Sequence, residues 1–156
     1  MNHYVGTEYL IYESPAPTEG WVKAIFIGII SLTLIPAIIL IQIDLIGAWI
    51  MFIATVFDAA LLYFIFPRKY QIFTDRVNIV LGRPFSYSFS LSSVQGCSRI
   101  DGSTPFVYWG LRLASSNKGV IEIKRPRDMD VVISPADPET FIEQLNRTLS
   151  TYTKTI

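Results

Sequence analysis

The chain has 156 residues with 13 basic and 13 acidic side chains, so its formal net charge is zero. The single cysteine, Cys97, excludes a disulfide within the chain, and the single histidine, His3, excludes a metal site built on several histidines. We therefore expect no metal or other cofactor.

The charges divide the chain into three parts. Residues 1–20 contain three acidic side chains and no Lys or Arg, whereas residues 21–66 are almost entirely apolar and contain only Lys23, Asp44 and Asp58 as charges. Residues 67–156 contain 12 basic and eight acidic side chains, a net charge of +4. This pattern predicts an N-terminal segment (1–20), a membrane part (21–66) and a soluble domain (67–156).

The membrane part is predicted to form a helical hairpin. A single helix over 46 residues would be about twice as long as the hydrocarbon layer is thick, so two helices fit better. Gln42, Asp44 and Gly47 interrupt the apolar run. We therefore expect spans near 22–42 and 47–66, joined by a turn at 43–46.

The distribution of Lys and Arg predicts how the hairpin is oriented. Lys23 lies near the start of the first span, Arg68 and Lys69 follow the second, and the turn has no basic residue. Because cytoplasmic flanks carry the excess of Lys and Arg, we expect a multi-pass protein of the inner membrane with both termini cytoplasmic. The expected membrane-interface anchors are Trp21, Lys23, Trp49, Tyr63, Arg68 and Lys69.

Asp58 is an acidic residue inside the second predicted span. If the turn is centred near residue 44, Asp58 lies at about the depth of Ser31, with Thr33 nearby, and a polar contact between the two helices would satisfy it. Two alternatives stay open. The same face could contact another copy of the chain, or Asp58 could line a proton or ion path together with other chains.

The soluble domain is predicted to contain about seven short antiparallel strands followed by one helix. The stretches "YQIF", "RVNIVLG", "FSYSFSLSSV", "CSRI", "FVYWGLRLA", "GVIEIK" and "DVVIS" have strand-like composition and are separated by turn residues. Asp137 then suits a helix N-cap and Pro138 the first helical position, so we expect an amphipathic helix at 137–152. A small barrel or split sandwich closed by this helix is the expected fold.

Three of these stretches carry a resemblance to a known family. "FPRKYQIFTDRVNIVLG", "FSLSSVQ" and "ISPADPETFIEQL" resemble the bacterial PH-like domains found on small two-helix membrane proteins. The most specific match is the entry to the last helix, formed by Ser134, Pro135, Asp137, Pro138 and Phe141. The resemblance implies a mainly-β PH-like fold and a membrane location, but no agreed activity. Since only Thr74 and Asp75 follow the first strand of the domain, it carries over no pocket for a phosphoinositide head group.

Candidate contact residues lie in two stretches of the domain. Lys124, Arg125 and Arg127 form a basic turn, which could touch anionic lipid or a partner, or could simply be solvated. Trp109 belongs to an aromatic stretch that could lie at an interface or in the core.

The sequence contains no enzyme motif and no nucleic-acid-binding motif. We therefore expect a non-enzymatic, membrane-anchored interaction module that presents a cytoplasmic PH-like domain to a protein partner or to the membrane surface. The first alternative is an accessory subunit of a larger membrane complex, or a homo-oligomer, bound through its hairpin. The second is a small transporter component or enzyme that uses Asp58.

Overall fold

The computed structural model describes residues 9–100 and 110–155. Two compact units make up the chain. Thr18–Phe66 form one unit, and the described residues before and after them form the other. The two predicted long apolar helices and the predicted C-terminal helix are confirmed, and the described strands form two four-stranded sheets, one strand more than the seven expected.

The first unit is a helical hairpin. Helix α1 spans Gly20–Leu40 and helix α2 spans Leu45–Ile65, so each is 21 residues, or about 31 Å, long. Each is long and apolar enough to cross a membrane. Both helices start two residues earlier than predicted. The start of α2 is capped by Asp44, whose carboxylate accepts a hydrogen bond from the N–H of Ile46 at 3.1 Å.

The first sheet contains four antiparallel strands in the order β1-β2-β3-β4. They are β1 (Leu10–Pro15), β2 (Lys69–Phe73), β3 (Arg76–Val80) and β4 (Ser86–Ser90). Strand β1 was not predicted, since residues 10–15 lie far from their partner in sequence and were assigned to a separate N-terminal segment. Pro15 pairs with Lys69, and the N–H of Ala16 donates to the carbonyl of Arg68 at 2.9 Å. The hairpin is therefore an insertion between two hydrogen-bonded strands.

The second sheet has the order β5-β7-β8-β6. Its strands are β5 (Gly96–Arg99), β6 (Gly110–Leu113), β7 (Ile121–Lys124) and β8 (Asp130–Ile133). The expectation that all strands are antiparallel is wrong at one place, because β6 pairs with β8 in parallel. Strand β7 instead occupies the place between β5 and β8, so β6 and β7 are not sheet neighbours although they are consecutive in the chain.

Helix α3 (Pro138–Thr155) follows the second sheet and packs against β5 and β1. Its predicted N-cap is confirmed, because the carboxylate of Asp137 accepts hydrogen bonds from the N–H of Thr140 at 3.1 Å and from its hydroxyl at 2.6 Å. These bonds lower the pKa of Asp137. Phe141 and Leu145 are fully buried against the inner faces of both sheets.

Tyr70 joins the two sheets at the centre of this core. Its ring is fully buried, and burial raises the pKa of its hydroxyl. The hydroxyl donates to the carbonyl of Leu113 in β6 at 2.7 Å and accepts from the N–H of Ser134 at 3.3 Å. Since a buried polar group without a partner is costly, this pair of bonds favours one arrangement of the sheets.

A glycine in the β6–β7 loop lies beside the first residue of α3, and this contact can be used to test the packing. Gly119 has a φ of +63°, and an added Cβ would lie 3.0 Å from Cγ of Pro138. We expect Gly119→Ala to lower the free energy of unfolding by about 1–2 kcal/mol, measured by thermal unfolding of the full chain in detergent. Gly96→Ala is the matched control, since an added Cβ there has no neighbour within 4 Å. Equal stability of the two variants would contradict the packing.

Candidate functional site

The two chain segments that lead to the hairpin meet at one end of the first sheet. Pro15, Lys69, Val80 and Ser86 form a row across its four strands, which is about 14 Å wide at the usual strand spacing. Only residues 16–19 separate β1 from α1, and only residues 66–68 separate α2 from β2. We call this end of the sheet, with the β3–β4 loop that it carries, the hairpin end.

Two of the predicted interface anchors lie at the hairpin end. Lys69 forms an ion pair with Glu13 of β1 at 2.9 Å, and Gln71 donates to the same carboxylate at 2.7 Å. These contacts, the lysine first, lower the pKa of Glu13. Arg68 is exposed next to Lys69. The charge of Lys69 is therefore partly matched within the domain.

The β3–β4 loop adds two residues that the sequence analysis did not select. The side chain of Phe85 is 53% exposed, and that of Arg83 is exposed without an ion-pair or hydrogen-bond partner among the described residues. Backbone bonds hold the loop tightly, since Phe85 donates to the carbonyl of Gly82 at 2.8 Å and accepts from the N–H of Leu81 at 3.1 Å. The available signal was the run "GRPFS", which places a cation and an aromatic together in a turn.

Arg125 does not belong to a surface cluster, which corrects its predicted role in lipid or partner contact. Only 4% of the residue is exposed. Its guanidinium forms an ion pair with Asp128, donates to the hydroxyl of Tyr87 at 2.9 Å and lies 4.6 Å from the ring centre of Phe89. The arginine therefore holds the β7–β8 turn against β4.

The other residues of the β7–β8 turn remain on the surface. Arg127 is exposed and has no side-chain partner in the described part of the chain, and Met129 is 66% exposed. Lys124 is also exposed, 4.0 Å from the carboxylate of Glu122. Arg83 and Phe85 thus place an exposed arginine beside an exposed aromatic ring at the hairpin end, and we call these two residues the basic–apolar surface. Arg127 and Met129 are a separate pair of exposed side chains on the β7–β8 turn.

Asp58 and its proposed neighbours do not form a hydrogen bond. The Asp58 side chain is half-buried on α2 and has no polar partner within residues 9–100 and 110–155. The hydroxyl of Thr33 donates instead to carbonyls of its own helix, those of Ile29 at 3.4 Å and Ile30 at 3.2 Å. Ser31 is half-buried and makes no hydrogen bond through its side chain to any described residue.

Small residues pack between the two helices. Ala37 of α1 and Ala48 and Thr55 of α2 are buried, whereas Gly28 is exposed and an added Cβ would meet nothing within 4 Å. Near the other end of the hairpin, the rings of Phe26 and Phe66 lie 4.5 Å apart, edge to face. The helices therefore contact each other through a different stripe from the one that contains Gly28.

The remaining predicted anchors are exposed on the hairpin. Trp21 donates through its indole N–H to Glu19 at 2.8 Å, and Lys23 is exposed two residues later. Trp49 packs edge to face against Phe52. Tyr63 is partly exposed near the end of α2. Trp109 lies outside the described residues.

The described residues offer no cluster suited to metal binding, since no three His, Cys, Asp or Glu side chains come together there. Cys97 is half-buried, and burial raises the pKa of its thiol, which disfavours the reactive thiolate.

The different roles of the two turn arginines can be tested by stability. We expect Arg125→Ala to lower the free energy of unfolding by about 1–3 kcal/mol, because hydrogen bonds to a charged group and a cation–π contact are lost. Arg127→Ala should leave it unchanged within about 0.5 kcal/mol. Both variants are compared by thermal unfolding of the full chain. A similar loss in both, or in neither, would contradict the assignment.

Comparison with known proteins does not assign a function to this chain. No family model matches the chain, and no match was found among curated proteins or solved structures. The candidate surfaces described above therefore rest on the residues and contacts of this chain alone.

Proposed function

We propose that this chain is a non-enzymatic, membrane-anchored interaction module, in which the hairpin spans the inner membrane and a PH-like domain lies against its cytoplasmic surface. The observation that carries this proposal is the insertion of the hairpin between β1 and β2. Since Pro15 and Lys69 are paired neighbours, both ends of the hairpin return to the same domain. A membrane-spanning hairpin satisfies this constraint because its two ends emerge on one side.

The charge pattern supports a cytoplasmic location for the domain. Lys23 and Arg68 flank the two helices on the domain side, while residues 41–44 between the helices contain no Lys or Arg. By the positive-inside rule the domain side is cytoplasmic. The chain then crosses the membrane twice, with β1 and the remaining strands in the same compartment.

Two four-stranded sheets followed by a C-terminal helix are compatible with a PH-like split barrel. The order β1-β2-β3-β4 and the packing of α3 against β1 and β5 support this assignment. The hairpin insertion and the parallel pairing of β6 with β8 are additions to the simpler pattern expected from the sequence.

The basic–apolar surface supports contact with an anionic bilayer. Arg83 and Phe85 lie in the β3–β4 loop. This loop is at the same end of the first sheet as the segments that lead into the helices. An arginine near an anionic surface contributes about 1 kcal/mol, and an exposed Phe beside it can enter the interface. The hairpin keeps the domain near lipid, so these small favourable free energies are enough to favour contact between the domain and the bilayer.

Bilayer contact can be measured in the full chain reconstituted into vesicles. An environment-sensitive dye is attached at Ser86→Cys, at the hairpin end, or at Ser92→Cys, near the opposite end, in a Cys97→Ser background. We expect the dye at position 86 to report a more apolar setting when phosphatidylglycerol is added to phosphatidylcholine vesicles. Replacing Arg83 by Gln should shift the contact equilibrium about fivefold toward release, since an arginine near an anionic surface contributes about 1 kcal/mol.

A charge-matched control separates this effect from net charge. Arg147→Gln removes a charge from α3, and we expect no change in the dye signal at position 86. The proposal of bilayer contact fails if the dye at position 86 responds no more than that at position 92. It also fails if salt leaves the response unaltered, because contact with anionic lipid is screened by salt.

The unpartnered carboxyl group of Asp58 favours one second candidate, association with another membrane chain through the hairpin. Asp58 has no polar partner among the described residues, and a polar side chain in hydrocarbon can be satisfied by a neighbouring helix. This proposal makes the chain an accessory subunit or a homo-oligomer rather than an independent anchor.

Variants at position 58 test this second candidate. We expect Asp58→Leu to weaken association about 3- to 15-fold, the range set by interhelical hydrogen bonds in membranes, and Asp58→Asn to retain more of it. The mass of the purified complex at falling protein concentration measures the effect. Thr33→Val is the control, since its hydroxyl already bonds within α1. Association of Asp58→Leu equal to that of the parent chain would exclude the hairpin contact.

A further inference from the structure

A groove opens at the end of the first sheet that lies opposite the hairpin end. It has a volume of about 410 Å³ and is formed by the start of β1, the β2–β3 turn and the C-terminal half of α3. The residues that line it include Ile11, Thr74, Arg147, Thr148 and Tyr152. Leu10 pairs with Phe73 here, five residues along β1 from Pro15, which corresponds to about 17 Å. We call it the distal groove.

A β-bulge places an apolar side chain at this groove. Leu10 pairs with Phe73 and Tyr12 with Ile72, so Ile11 is an extra residue in β1. The bulge lets Tyr12 turn inward, where the centre of its ring lies 6.1 Å from the ring centre of Phe141. Ile11 stays 42% exposed and lines the groove. Bulges commonly re-aim a side chain in this way.

Arg147 is the only cationic side chain among the described residues that line the distal groove. Its guanidinium is exposed and has neither an ion-pair nor a hydrogen-bond partner among the described residues. Glu143, one turn earlier on α3, is not within ion-pair distance of it, and Asp75, next to Thr74, lies 3.9 Å from Arg76. The groove therefore offers an unmatched positive charge beside an apolar side chain.

Two features favour an extended polypeptide over a small molecule. The groove runs beside β1, which is an edge strand of its sheet. Exposed Tyr9 and Leu10 continue the apolar surface along β1 beyond Ile11. Edge strands and adjoining grooves bind extended segments, which take affinity from the main chain and specificity from alternate side chains.

We propose that the distal groove binds an extended segment of a partner protein, with an apolar side chain against Ile11 and Tyr152 and a carboxylate on Arg147. The charge complementarity of Arg147 selects an acidic segment over a basic one. The site lies at the other end of the sheet from the basic–apolar surface. It is therefore independent of bilayer contact, and either proposal can fail alone.

A selection experiment with the full chain in lipid nanodiscs tests the site. A phage-displayed library of random dodecapeptides is panned against the nanodiscs, and an enriched peptide is synthesised as the probe. We expect enriched peptides to share an acidic residue close to an apolar one. Arg147→Glu should weaken binding of that probe about tenfold, because an attraction is replaced by a repulsion. Changing the acidic residue of the peptide to Lys should restore binding to this variant.

Controls make each outcome decisive. Arg127→Glu changes the charge by the same amount in the β7–β8 turn and should leave peptide binding unaltered, and unfolding temperatures show that both variants are folded. The proposal is overturned if the enriched peptides lack acidic residues, if Arg147→Glu binds the probe as well as the parent chain does, or if nothing is enriched. Enrichment only on a chain lacking residues 1–8 would identify that segment as the occupant and would also overturn it.

Discussion

The pairing of β1 with β2 is the constraint on which the rest of this structure depends. The two strands are separated by the whole hairpin, yet they form an antiparallel ladder in which Pro15 pairs with Lys69 and the side chains of Glu13 and Lys69 form an ion pair. Closing a flexible loop of this length would cost conformational entropy. The hairpin reduces that cost, because helices that pack through Ala37, Ala48 and the ring pair Phe26–Phe66 already hold their ends near each other. Hairpin and sheet therefore stabilise each other, and β1 cannot be removed without leaving an unpaired edge on β2.

Position within the fold, rather than residue type, separates the arginines of this chain. Arg125 and Arg127 are two residues apart in one basic run, but only Arg125 reaches Tyr87 and Asp128 and becomes part of the packing. A buried guanidinium is tolerated because its charge is paired and its face lies on the ring of Phe89. Arg83, Arg127 and Arg147 lack such partners in the described part of the chain. Their charges are consequently available to ligands, and the two proposed binding surfaces contain Arg83 and Arg147.

Local patterns predicted most of the fold, and long-range pairing accounts for what they missed. Alternation of apolar and polar residues located the seven strands from β2 to β8, and Asp137 located the start of α3, since both signals lie within a few residues. Strand β1 was not predicted because its partner strand lies beyond the hairpin in sequence. The parallel pairing of β6 with β8 was not predicted because it depends on β7 lying between β8 and β5. The same limit applies to the candidate sites. No local signal distinguishes Arg125 from Arg127, and the approximate depth of Asp58 did not specify the helix face that contacts α1.

The insertion also gives the domain two functionally different ends. At one end the first sheet is connected to the helices by segments of only a few residues, 16–19 and 66–68. At the other end, about 17 Å away along β1, the bulge at Ile11 and the exposed side chain of Arg147 line the distal groove. A weak lipid contact at the first end would restrict rotation of the domain. That restriction would present the distal groove in a defined orientation and raise the effective concentration of the groove for partners in the same membrane. The place of the hairpin between β1 and β2 therefore separates the end of the sheet that leads into the helices from the end that carries the groove.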